Sequence, residues 1–158
     1  LAKTKSKDEG FELTEEAKLI SKNFNANKGK LPSPVIRGNV VLGFGKQPHP
    51  IVKTTTIQSN GVRIRTSSDI DARTIFDGEV YSIIKSKNNT YTILIQHGNF
   101  FTVYKNLSEI YVKKGDILNT KESIGKIATD RLNGQTILSF SIFKNGIPQN
   151  PRLWIYKM

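Results

Sequence analysis

The chain has 158 residues, a formal net charge of +11 and no cysteine. The missing cysteine excludes thiol catalysis, cysteine-ligated zinc and disulfide staples, and no apolar run approaches the roughly 20 residues a membrane-spanning helix needs. The length is that of one domain with a short flank, enough for a core without metal or disulfide support.

The basic excess is uneven. Residues 1–35 hold seven Lys against five acids, whereas 36–158 hold 17 Lys/Arg against eight. A basic surface favours anionic partners. The cations are scattered, however, and no nucleic-acid-binding motif accompanies them, so nucleic acid is not an expected partner. Leu1 opens no basic-then-apolar leader pattern.

Residues 1–10 are polar and aperiodic and read as a frayed tail. Leu13, Ala17, Ile20 and Phe24 then mark one face of an α-helix of about three turns. Thr14 suits the N-cap, and Glu15 and Glu16 suit the positive end of the helix dipole. The Pro/Gly-containing stretch 28–34 reads as a linker, giving a flank at 1–34 and a domain at 35–158.

From there the pattern is β. Residues 35–42 are apolar and β-branched, and 61–65 alternate, with Val62 and Ile64 on one side and Arg63 and Arg65 on the other. A turn at Asp77 and Gly78 leads into Val80, Ile83 and Ile84. Lys87, Asn88 and Asn89 form a hairpin turn. Strands at 91–96 and 101–104 flank a turn at Gly98 and Asn99. A turn at 114–116 precedes Ile117, and strands at 124–127 and 136–143 close the set. Short strands at this spacing predict an all-β sandwich or barrel.

Four groups of short motifs follow in order. GFG stands at 43–45. SNGVRI at 59–64 is followed by ARTIFDGEV at 72–80. ILIQHG at 93–98 is followed by TVYKNL at 102–107. VKKGD at 112–116, IG at 124–125, ILSFSI at 137–142 and NP at 150–151 complete them. Together these resemble the LytM/lysostaphin-type zinc metallopeptidase domain, a family of bacterial cell-wall hydrolases. The resemblance implies a mainly β, duplicated-hybrid-motif sandwich or barrel with one short N-terminal helix.

In that family H-x-G-x-D and H-x-H motifs supply two histidines and an aspartate to zinc, leaving an open position for water. Two further histidines assist proton transfer. The ligand positions here are Ser59, Arg63 and Ser139, and the assisting positions are Asn106 and Ile137. None is a plausible zinc ligand or proton carrier, and Arg63 puts a fixed positive charge where the cation would sit. The resemblance thus implies a degenerate domain with no cofactor. His97 reads as a turn histidine with a satisfied hydrogen bond, His49 as part of a stiff exposed loop, and Asp69 and Asp71 as loop acids.

NANKGKLP at 25–32 resembles the junction between coiled coil and LytM-type domain in EnvC-like proteins, and GKQPHP at 45–50 resembles the Bacteroidetes form. The implied class is an EnvC/NlpD-like murein hydrolase activator, periplasmic and peripheral to the cell envelope, with a coiled coil upstream. Its partner would be a cell-wall N-acetylmuramoyl-L-alanine amidase, with peptidoglycan a second candidate. The expected groove is lined by Ser59, Arg63, Asn106, Ile137 and Ser139, with Arg65 and Tyr104 beside them. Two questions stay open at this point. The helix either docks on its own domain or covers the groove. The domain is an activator, an active zinc endopeptidase, or a module that binds an envelope polymer.

Overall fold

Thr14 begins the described part of the molecule. The computed structural model describes residues 14–49 and 51–158, so the tail at 1–10, Leu13 of the helical stripe and Pro50 lie outside it. The Thr14 hydroxyl accepts from the Ala17 N–H at 3.1 Å. This cap starts α1 (Glu15–Ala26), which ends at Asn27.

Twelve strands follow. They are β1 (Asn39–Leu42), β2 (Gly45–Pro48), β3 (Thr56–Ser59), β4 (Val62–Thr66), β5 (Asp71–Arg73) and β6 (Gly78–Lys85). Then come β7 (Tyr91–His97), β8 (Phe100–Ile110), β9 (Ile117–Leu118), β10 (Ser123–Ile127), β11 (Thr136–Lys144) and β12 (Ile147–Gln149). A single turn, α2 (Pro151–Trp154), follows them. The architecture is mainly β, as the alternating pattern predicts. α2 adds a second helix, started by the Asn150 side chain accepting from the Arg152 N–H.

The main sheet is antiparallel and runs β1-β4-β11-β8-β7-β6-β9. β8 belongs to two leaves. Its first half pairs with β11 and its far end, from Leu107, pairs with β10, which in turn pairs with β5. β2 and β3 form a separate two-stranded ribbon. Side chains alternate across a strand, and the register makes the sorting explicit. Val62, Phe140 and Tyr104 form one cross-strand row, and Ile64 pairs with Leu138. All five are buried. Arg63, Ser139 and Lys105 form the neighbouring row and face the other way.

Residues 28–34 are not a free linker. The N–H groups of Gly29 and Leu31 donate to the Trp154 carbonyl, and the Tyr156 N–H donates to the Leu31 carbonyl. Leu31 and Phe24 belong to the same core as the strands.

α1 packs behind the sheet, not over an outer groove. Phe24 is fully buried and stacks on Phe100, with ring centroids 4.3 Å apart. It also meets Phe76 edge-on and lies against His97 and Trp154. The seat depends on Gly98 in the β7–β8 turn, at φ +70°. A Cβ there would overlap the Ser21 hydroxyl and the Ala17 carbonyl. With no Cβ, the Ser21 Oγ approaches closely and accepts from the Asn99 N–H at 2.7 Å.

His97 ends β7 and is fully buried. Its Nδ1 lies 2.7 Å from the Asp77 carbonyl, which can only accept, so Nδ1 carries the proton. Nε2 then accepts from the Thr102 hydroxyl at 2.9 Å. Burial pushes its pKa down to about 4, against the opposing pull of the Asp77 carbonyl and charge. His97 is thus a neutral structural histidine.

Two outcomes follow. Phe24→Ala should lower unfolding free energy by about 3–5 kcal/mol in urea titrations, and Gly98→Ala should cost at least about 1–2 kcal/mol through the left-handed backbone alone. Above about pH 6.5 His97 is neutral in both folded and unfolded chains. Between pH 6.5 and its folded value of about 4, only the unfolded chain takes up the proton. Stability should therefore fall by about 3 kcal/mol as pH drops through that window, and His97→Gln should remove that component of the urea-midpoint shift.

Candidate functional site

The outward face of the β4–β11 pair forms the floor of a cleft of about 770 Å³. Three elements place its functional side chains. The β4 pleat turns Arg63 outward while Val62 and Ile64 enter the core. β11 does the same with Ile137 and Ser139, and β8 adds Lys105. The β2–β3 ribbon and the loop joining its two strands wall one side with Ile57, Ser59 and His49. Gly61 makes the tight junction possible, since a Cβ there would collide with the Phe140 carbonyl and the Ser141 hydroxyl.

Of the seven residues expected to form the groove, Ser59, Arg63, Ile137 and Ser139 line this cleft together. Asn106, on β8, does not line the cleft but is bonded to Ile137, which does. Asn106 sits at φ +78°, a conformation asparagine tolerates, and its side-chain amide donates to the Ile137 carbonyl at 2.7 Å. Arg65 pairs with Ile137 across the sheet but opens into a neighbouring cleft with Arg37 and Thr66. Tyr104 requires a correction. It is fully buried on the core face, and its hydroxyl accepts from the Ile75 N–H at 3.1 Å. Burial pushes its pKa up to about 12.

Lys105 is the residue that sequence reasoning passed over. Strict alternation puts Tyr104 and Asn106 on one face, and the resemblance emphasised those two. Regular alternation from Phe100 turns Tyr104 into the core and Lys105 outward, so Lys105 is the β8 contribution to the cleft, and the left-handed backbone at Asn106 interrupts the pattern only beyond it. Its signal was its place one residue after a core aromatic.

The site is positively charged. No Asp or Glu stands among the described residues that line the cleft. The Arg63 and Lys105 side chains have no ion-pair or hydrogen-bond partner among the described residues, and both are exposed. The two loop acids are engaged elsewhere: Asp69 pairs with Lys126 at 2.9 Å, and Asp71 accepts from the Tyr111 hydroxyl. His49 is half-buried, and its Nδ1 accepts from the Ile51 and Val52 N–H groups at 3.0 Å, holding an apolar loop at the rim.

A family model for peptidase family M23 matches residues 58–151. The chain belongs to peptidase family M23. No curated protein matches its sequence significantly. Among solved structures it is similar to a chain of the SpoIIQ–SpoIIIAH pore-forming complex, with TM-score 0.68 and 23% identity over 83% of this chain and 93% of that one. It is also similar to a zinc-containing peptidase from Vibrio cholerae, with TM-score 0.66 and 25% identity over 79% of this chain. The alignment spans only 40% of that peptidase. The solution structure of lysostaphin aligns at TM-score 0.59 and 21% identity over 78% of this chain and 53% of lysostaphin. These likenesses establish the LytM/lysostaphin-type fold.

The residues at the expected ligand positions do not fit zinc. The Ser59 hydroxyl donates to the Gly61 carbonyl at 2.7 Å. Arg63 is cationic and Ser139 offers only a hydroxyl, while at the two assisting positions the Asn106 amide is bonded to the Ile137 carbonyl and the Ile137 side chain has no polar atom. Among the described residues no three His, Asp or Glu side chains gather where they could share a metal ion. Zn²⁺ titrated into protein prepared without chelator should therefore give no saturable one-to-one binding by calorimetry. The combined substitution Ser59→His, Arg63→Asp and Ser139→His should create such a site, because it supplies two imidazoles and a carboxylate in place of two hydroxyls and a cation.

Proposed function

We propose that this domain is a non-catalytic M23 domain that binds and activates a cell-wall N-acetylmuramoyl-L-alanine amidase during peptidoglycan remodelling and cell separation. The carrying observation is the cleft itself. A groove in which this fold would hold a metal instead presents Ser59, Arg63, Ile137 and Ser139, lined by apolar side chains and free of acids.

The physical case is one of complementarity. The cleft is wide, open and preshaped by a rigid sheet. Val41, Ile57 and Ile137 offer apolar surface beside two free cations. An amphipathic helix has the matching pattern, with an apolar stripe flanked by acids, and helix-in-groove docking uses that geometry. The neighbour solved within the SpoIIQ–SpoIIIAH pore-forming complex supports the reading that this fold serves protein assembly. On this reading the domain works in the periplasm at the envelope. No helix among the described residues is long and apolar enough to cross a membrane.

α1 is assigned a structural role in this scheme. Phe24 is locked in the aromatic cluster behind the sheet, so release of α1 would expose core and not the cleft. An envelope-polymer module would use the same basic face. It would bind sacculi in a salt-sensitive manner without affecting any amidase.

The test is Arg63→Glu. It should abolish amidase activation in a dye-release wall assay while changing stability by under about 0.5 kcal/mol, since Arg63 is exposed and has no partner among the described residues. Unchanged activation would remove the cleft from the interface. Wall degradation by the domain alone would overturn the non-catalytic assignment.

A further inference from the structure

Ser139 lies directly between two cations. On β11 it pairs with Arg63 of β4 on one side and with Lys105 of β8 on the other. Residues paired across adjacent strands point to the same face, and all three line the cleft. Adjacent strands lie about 4.8 Å apart, so the Lys105 and Arg63 backbones are about 10 Å apart with Ser139 midway. That spacing lets two long cationic side chains lean toward one anion above the serine. The Ser139 hydroxyl makes no hydrogen bond among the described residues, and neither cation has a partner. The row therefore holds unspent donors with no internal acceptor.

This arrangement is costly for the free domain. Two like charges share one side of the sheet, and no acid in the cleft neutralises them. An incoming anion relieves that repulsion and gains charge-assisted hydrogen bonds, bidentate from the guanidinium. From these facts we infer that Lys105, Ser139 and Arg63 form a carboxylate-binding subsite, occupied by an Asp or Glu side chain of the protein partner. The apolar lining favours a protein carboxylate over one on a wall peptide. Val41, Ile51, Ile57 and Ile137 surround the row, and Ile51 is 84% exposed. Such side chains match the apolar flank of an acidic residue on an amphipathic helix. The choice of partner rests on the amidase-binding reading. The carboxylate subsite itself does not.

Two measurements keep these claims separate. In the first, glutarate is titrated into the ¹⁵N-labelled chain. Saturable amide shifts should appear at Arg63, Lys105 and Ser139 and disappear in Arg63→Gln and in Lys105→Gln. Absence of saturable shifts, or shifts that persist in both variants, overturns the subsite. In the second, binding of the organism's amidases is measured by calorimetry. Each single neutralisation should weaken binding tenfold or more. The double variant should lose less than the product of the two, because both cations hold one carboxylate. Glutarate binding together with amidase affinity indifferent to Arg63→Gln, Lys105→Gln and Ile137→Asp overturns the partner and leaves the subsite. Amidase binding lost in Ile137→Asp alone, with no glutarate response, overturns the subsite and leaves the partner. Displacement of glutarate by a soluble muropeptide, with no amidase bound, assigns the carboxylate to the wall and overturns the protein occupant.

Discussion

Phe140 on β11 pairs with Val62 on one side and Tyr104 on the other, and its neighbour Ser139 pairs with Arg63 and Lys105. The rest of the molecule depends on this three-strand register. It puts the large apolar residues into the core and the cationic row into the cleft in a single step. Because side chains repeat every two residues, a slip of one position would bury Arg63 and Lys105 and expose Phe140. Stability and binding chemistry are therefore specified by the same ladder. Replacing residues on the cleft face leaves the core face unchanged, which is how the fold can persist while its outward chemistry is rewritten.

Behind that ladder, the aromatic cluster joins α1 and α2 to the sheet. Phe24 comes from α1, Phe100 from the start of β8 and Trp154 from α2; the three rings meet one another, and Phe24 also lies against His97. His97 contributes by staying neutral and by bonding through both ring nitrogens. The helix is thus part of the domain's own packing. Its position on the far side of the sheet leaves the cleft open to a partner.

Much of this was legible in the sequence, for identifiable reasons. β4, β7 and β11 alternate cleanly and are bounded by turn residues, so both their existence and their faces could be read. The outward face of Arg63 followed from that alternation, whereas Ser139 followed from the family resemblance. The β2–β3 ribbon was not legible, because GKQP and TIQS are polar and carry no apolar period. α2 is four residues long and starts on proline, too short for any helical period. The stretch 28–34 looks like a linker by composition, yet backbone hydrogen bonds to Trp154 and Tyr156 pin it. Such long-range pairing leaves no local trace. Tyr104 was placed at the groove by the family motif, although regular alternation along β8 turns it into the core and Lys105 outward; only beyond Lys105 does the positive φ at Asn106 interrupt the pattern.

The cysteine-free chain allows a direct test of where a partner sits. A single thiol is introduced by Ser139→Cys in one variant and by Leu19→Cys, on the exposed side of α1, in another. The rate of maleimide labelling is then measured with and without a cognate amidase. The cleft account predicts that the amidase slows labelling at position 139 at least tenfold and leaves position 19 unchanged. Protection at position 19 with free labelling at position 139 would contradict it.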